Sequence, residues 1–143
     1  MEYSPLLGPV VALVAWSLVM LFWMAFARGR AFRGMGKGFK IAPGARGGDL
    51  DGKVAPQLQW PSHNYNHLME QPTIFYAIVF ALILMDFDAA INVYLAWGYV
   101  ALRIAHSIVQ ATVNIVPLRF ALFFLASLCL LSLTVHVGLR LWH

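Results

Sequence analysis

The sequence predicts an all-α membrane protein, a four-transmembrane-helix bundle in a single domain over residues 1–143. Hydrophobic residues make up 61% of the chain and charged residues 11%, a balance too apolar for an ordinary soluble domain. Four long apolar runs alternate with one long basic loop and two short turns. The single cysteine, Cys129, excludes a disulfide framework or a cysteine-based metal site within one chain.

The first predicted helix covers residues 5–27, an uncharged run of about 23 residues that is long enough to cross a bilayer. Residues 28–61 form the basic loop, and Gly44 and Gly47-Gly48 interrupt it. The loop contains two acidic residues, Asp49 and Asp51. Its basic residues outnumber them and are Arg28, Arg30, Arg33, Lys37, Lys40, Arg46 and Lys53. The positive-inside rule places this loop in the cytoplasm and the N-terminus outside.

The second predicted helix covers residues 62–85, and Pro72 is expected to kink it. Near its start, four polar residues lie at positions i, i+3, i+4 and i+7, and therefore on one helical face. They are His63, Asn66, His67 and Glu70. Because polar groups are costly in a bilayer, this face is expected to point into the bundle or into a water-filled cleft.

The third predicted helix covers residues 89–116, after an acidic turn at residues 86–88. Its polar residues fall within about 60° of one direction on a helical projection. They are Asn92, Tyr99, Arg103, His106, Ser107, Gln110 and Asn114. Such a stripe needs a protein or water partner along its length, so a trimer is expected in which the stripe faces a neighbouring subunit or an interfacial cleft.

The fourth predicted helix covers residues 118–141 and carries few polar side chains before His136. With the basic loop in the cytoplasm, the C-terminus lies outside, and polar residues of helices two, three and four converge on the cytoplasmic leaflet. Glu70 and Arg103 then lie at comparable depth. The sequence predicts that they form a salt bridge, within one subunit or across an interface, because each charge alone would be costly there.

The combination of topology and motifs resembles the membrane-associated proteins in eicosanoid and glutathione metabolism, the MAPEG family, and especially its bacterial branch. The motifs are Asn66-His67-Leu68-Met69-Glu70-Gln71-Pro72, the pattern Tyr99…Arg103-Ile104-Ala105-His106, and Arg119 at the head of the last helix. The resemblance covers about residues 62–140 by motif and the whole chain by topology. It implies a multi-pass protein of a bacterial inner membrane.

The resemblance further implies a homotrimer that binds glutathione as a co-substrate at subunit interfaces on the cytoplasmic side. Asn66, Glu70, Arg103, His106 and Tyr99 would bind glutathione, and Arg119 would stabilise its thiolate. The function implied is a glutathione-dependent transferase or peroxidase acting on lipophilic electrophiles, with no metal. Nucleic-acid binding is not indicated, because the basic loop lacks interleaved aromatic residues.

Two alternatives remain open at this point. The chain has no Arg shortly before Asn66, it has four residues rather than three from Asn66 to Glu70, and it carries Gln110 and Asn114 where the family's enzymes have a Tyr. These differences favour a non-catalytic MAPEG-like trimer that binds a lipid or small anion. The second alternative is a metal enzyme, since His63, His67 and Glu70 share a helical face.

Overall fold

A computed structural model describes residues 3–36 and 38–142, so Glu2 and Lys37 lie outside the described residues. Every regular element in this described part is helical. The elements are α1 (Leu7–Gly34), a short 3-10 helix (Gly47–Leu50), α2 (Pro56–Leu68), α3 (Gln71–Leu84), α4 (Ala90–Thr112) and α5 (Val116–Trp142). Together, α2 and α3 form one interrupted span, so the chain makes four helical passes.

Three of these passes are long and apolar enough to cross a membrane: Leu7–Gly34, Pro56–Leu84 and Val116–Trp142. The fourth, α4, is less apolar because it carries the polar stripe. It lies at the centre of the bundle, where it packs against α5, α2 and α1. The polar stripe of α4 is thus shielded from lipid by its own subunit, whereas Tyr94 and Trp97 on another face of the helix are exposed.

The boundaries of the helices differ from the predicted ones at several points. Helix α1 continues to Gly34, past the predicted end at residue 27, so Arg28, Arg30 and Arg33 lie on its last turns. Cations are favourable there because they face the negative end of the helix dipole. Helix α2 begins at Pro56, before the predicted start at residue 62, since proline suits the first helical turn.

The second predicted helix is not continuous. It ends at Leu68 and resumes at Gln71, and Glu70 between the two segments has φ −91° and ψ −94°. Proline lacks an N–H and its ring would collide with the carbonyl of residue i−4, here Leu68. A kink at Pro72 was the prediction; the structure breaks the helix just before the proline instead.

Polar and apolar residues share the core. Phe75 of α3 stacks on Tyr99 of α4, with ring centroids 4.3 Å apart and planes 10° apart. Leu13, Met20 and Leu133 are fully buried nearby in the same hydrophobic core. The six members of the α4 stripe that lie within the helix are also buried: Asn92, Tyr99, Arg103, His106, Ser107 and Gln110.

The expectation that this stripe needs a neighbouring subunit is therefore wrong. Helices α1, α2 and α5 cover α4 within one chain, and Tyr99 and Arg103 have no accessible surface there. Asn114, the last residue of the predicted stripe, lies past the end of α4 and has a positive φ of 53°. It forms the turn into α5, which begins at Val116 rather than at residue 118.

Candidate functional site

Arg103 is the largest fully buried side chain in the described part of the protein. Its Nη2 donates hydrogen bonds to the backbone oxygen of His67 at 3.0 Å and to His67 Nδ1 at 3.1 Å. The carbonyl belongs to the last turn of α2, where the break before Pro72 leaves carbonyl groups without helical partners. Arg103 therefore caps α2 from a neighbouring helix, and the negative end of the α2 dipole partly compensates its charge.

The predicted salt bridge between Glu70 and Arg103 is absent within the subunit. Across the described residues, the contact of His63 with Asp51 is the one pairing of a basic side chain with a carboxylate. Glu70 is exposed at the helix break, whereas Arg103 faces inward from α4. The prediction assumed a continuous helix through residue 70; because the helix ends at Leu68, the α2 carbonyl and the His67 ring take the place of the carboxylate.

The contact with Arg103 also determines the tautomer of His67. A guanidinium has no acceptor atom, so Nδ1 of His67 must accept the hydrogen bond and the ring proton lies on Nε2. The His67 ring stacks on that of His106, with centroids 4.9 Å apart and planes 23° apart. Phe123 of α5 closes this cluster, 5.4 Å from the His67 ring and 5.9 Å from the Arg103 guanidinium carbon.

A cavity of about 220 Å³ opens beside the histidine pair. Its walls come from the end of α2, the last turns of α4 and the first turn of α5, as predicted for helices that meet at one leaflet. The lining residues are His67, His106, Gln110, Val116, Arg119 and Phe120. The structure thus brings Arg119 and His106 together at one polar cavity.

Arg119 is held in this cavity by the turn that precedes α5. Its Nη1 donates a hydrogen bond to Asn114 Oδ1 at 2.7 Å, and the left-handed backbone of Asn114 aims that amide back at the helix. Asparagine tolerates this conformation better than most residues. Since an amide carries no net charge, the bond orients the guanidinium without neutralising it.

Tyr99 takes part in a separate network on the opposite side of Arg103. Its hydroxyl donates to Gln71 Oε1 at 3.2 Å, and Gln71 Nε2 donates to Ser127 Oγ at 2.8 Å. This chain of bonds links α4 to α3 and α5. Tyr99, predicted to bind a ligand, is fully buried and lies outside the residues that line the cavity.

Three residues of the predicted polar face on the second span lie on the outside of the subunit. His63, Asn66 and Glu70 are exposed, while the buried residues of α2 include Gln59, Ser62, Asn64 and Leu68. The structure does not assemble the metal set suggested by the sequence: His67 contacts Arg103 and His63 contacts Asp51. Across residues 3–36 and 38–142, no three metal-ligating side chains group together.

The basic loop is fastened to the start of α2 through Asp51. Gln59 Nε2 donates hydrogen bonds to Asp51 Oδ1 at 2.8 Å and to the Gly47 carbonyl at 3.0 Å, and His63 Nε2 lies 3.3 Å from the same carboxylate oxygen. The hydrogen bond from Gln59 holds the pKa of the Asp51 carboxyl below its ordinary value, and His63 acts in the same direction. The 3-10 helix is thereby docked on α2.

Sequence reasoning did not single out Gln71, Phe120 or Phe123. Gln71 could have been found as a polar residue inside an apolar span, beside Pro72. Phe120 and Phe123 are two of many aromatic residues on an apolar helix, and no pattern along the chain marks them as part of a site.

The family model of the MAPEG family matches residues 6–139, which is nearly the whole chain. No curated protein and no solved structure matches the sequence. The matched region contains every helical pass and every cavity residue, and its apolar helices are long enough to span a bilayer. The chain is therefore an integral membrane protein that belongs to the MAPEG family.

Proposed function

We propose that the protein is a glutathione-dependent membrane enzyme in which Arg119 stabilises the glutathione thiolate. The observation that carries the proposal is the orientation of Arg119 in the cavity. A positive group beside a thiol lowers its pKa and raises the fraction of the nucleophilic thiolate. Among the described residues, Arg119 has an amide as its side-chain partner and no carboxylate, so its charge is available to an anion.

The neighbouring side chains suit the same role. His67 carries its ring proton on Nε2, because Arg103 occupies Nδ1, and His106 and Gln110 add further polar groups to the wall. The thiolate sulfur would form a bond to an electrophilic carbon and expel its leaving group, while the thiol proton passes to solvent. In the peroxidase variant, two glutathiones reduce a hydroperoxide to an alcohol and water and are oxidised to the disulfide.

The size of the cavity supports binding between subunits. A volume of about 220 Å³ is below the roughly 300 Å³ at which ligand pockets begin, so it accommodates the thiol end of the tripeptide and little more. The remainder needs a surface outside this chain's own bundle. Asn66 and Glu70, exposed on the neighbouring span, offer an amide and a carboxylate for the ligand's ammonium and peptide groups.

We also propose the homotrimer that is general in this family. Within a membrane, exposed Asn66 and Glu70 would otherwise face lipid, and polar groups there are costly. A second copy of the chain would cover them and complete the glutathione site. The basic loop over residues 28–61 is proposed to be cytoplasmic, with both termini outside; a reporter fused after His143 that is found in the cytoplasm would contradict this sidedness.

The test is thermal unfolding of the purified protein in detergent with and without glutathione. A ligand at about 100 times its Kd stabilises the native state by about 2.7 kcal/mol, so the unfolding temperature should rise measurably. Formation of the thiolate is measured separately, through its ultraviolet absorbance on mixing. Arg119→Met should abolish the absorbance change, whereas Arg140→Met, at the exposed far end of the same helix, should leave it intact.

The non-catalytic alternative draws support from the residues around Arg119. Gln110 and Asn114 supply amides where the family's enzymes have a tyrosine hydroxyl, and an amide is a weaker aid to thiolate chemistry. In that case the cavity would hold a small anion without turnover. A thermal shift with chloride or phosphate but none with glutathione would favour this alternative and contradict the enzyme.

A further inference from the structure

A second cavity among the described residues lies far along the chain from Arg119, between the end of α1 and the basic loop. It has a volume of about 370 Å³. Its cationic wall consists of Arg28, Lys40, Arg46 and Lys53. Asp49 is the one carboxylate on the wall, and it already accepts a hydrogen bond from the backbone N–H of Arg46 at 2.7 Å. The cavity therefore carries an excess of positive charge.

The guanidinium of Arg28 lines this cavity and lies against Gly47. A Cβ at residue 47 would meet the guanidinium, so a side chain there would require Arg28 to move. Its Nε is buried and has no partner among the described residues. The first residue of the 3-10 helix and the last turns of α1 thus meet at a cation that has no carboxylate partner among the described residues.

The rest of the wall is apolar. Phe32 and Phe39 pack with ring centroids 6.4 Å apart, and Ile41 beside them is 58% exposed. The cavity lies beside the transition from the apolar run of α1 to its basic last turns. In a bilayer, this transition is expected at the depth of the lipid headgroups. A cationic base and an apolar wall at this height match a molecule with an anionic head and an apolar chain.

We propose that this cavity binds the phosphate headgroup of an anionic membrane lipid. The phosphate would be bound by Arg28, Arg46 and the two lysines through charge-assisted hydrogen bonds, and an acyl chain would cover Phe39 and Ile41. This site is separate from the one beside Arg119 and does not depend on glutathione binding. Its occupant would also fasten the loop to α1.

The test titrates the full-length protein in detergent with phosphatidylglycerol and counts bound lipids by native mass spectrometry. Lys40→Gln with Lys53→Gln removes two cations from the cavity; both side chains are exposed, so folding should be preserved. Arg30→Gln with Arg33→Gln removes the same charge from the end of α1 but from outside the cavity. We expect the first pair to weaken lipid binding about tenfold more than the control pair.

Equal losses in the two variants would overturn the proposal, because they would indicate a diffuse attraction to the basic surface. Three further ligands identify the source of the phosphate. Phosphatidylcholine, whose headgroup has no net charge, should bind at least about tenfold more weakly. If glycerol 3-phosphate or inorganic phosphate binds as tightly as phosphatidylglycerol, the apolar wall contributes nothing and the lipid assignment is wrong.

Discussion

Arg103 of α4 donates a hydrogen bond to the backbone oxygen of His67, one residue before the end of α2. This bond joins two features that are separate in the sequence: the polar stripe of the third pass and the break that precedes Pro72. A buried arginine usually needs a carboxylate; here a helix C-terminus and an imidazole serve instead.

Replacement of Arg103 by methionine should destabilise the subunit. It would leave the His67 carbonyl without a donor in a buried place, at a cost of about 1–3 kcal/mol. Equilibrium unfolding in mixed micelles measures this, and Arg140→Met, on an exposed residue of α5, serves as the control with an expected change of no more than about 0.5 kcal/mol. Equal effects of the two substitutions would rule out the capping role.

The effect of Arg103 should depend on Pro72. In a Pro72→Ala variant the helix can continue through residues 69–71, and the Gln71 N–H can bond the His67 carbonyl itself. We expect Arg103→Met to be less destabilising in that background, with a coupling of at least about 0.5 kcal/mol in a double-mutant cycle. Strict additivity of the two substitutions would show that the break and the cap are independent.

Glu70 should matter for assembly rather than for the fold of one subunit. Because its side chain is exposed and unpaired with Arg103, Glu70→Gln should change the unfolding free energy of monomeric protein by no more than about 0.5 kcal/mol. The same substitution should shift the proposed trimer toward monomer in light scattering across a dilution series. Asp88→Asn, an exposed acid in the turn before α4, is the matched control and should leave the mass unchanged.

The docking of the basic loop should depend on pH. The pKa of Asp51 is lower in the folded protein than its ordinary value, chiefly through the hydrogen bond from Gln59. This contribution is therefore complete above the ordinary carboxyl pKa of about 3.9 and is lost as the pH falls through the lower folded value.

A spin label at Gly48 can report the loss of loop docking in acid. The site is suitable because nothing lies within 4 Å of a Cβ placed there. The label, in a Cys129→Ser background, should be ordered near neutral pH and become mobile in acid. In Asp51→Asn, whose side chain cannot ionise, the label should be mobile without a pH transition. A transition that persists in this variant would assign the titration to another group.

Local features of the sequence predict the number of helical passes, the polar stripe of α4 and a distortion of the second pass at Pro72. Apolar runs of bilayer length, a helical repeat of about 100° per residue and a proline are local properties. They led to the α4 stripe and to the convergence of Arg119 with His106, but not to the continuation of α1 through Arg28 and Arg33. The family resemblance, carried by the same residues, is confirmed by the match over residues 6–139.

The group that each polar side chain contacts follows from the packing of the folded chain and not from the sequence pattern. The helical repeat gives the direction of a side chain but not what lies opposite, so it could not show that the stripe faces its own subunit. Nor could it show that Arg103 binds the backbone of His67 instead of Glu70, because that carbonyl is free only once the helix has broken. The cavity under the basic loop likewise brings Gly47 against Arg28, a contact between distant residues that no local pattern encodes.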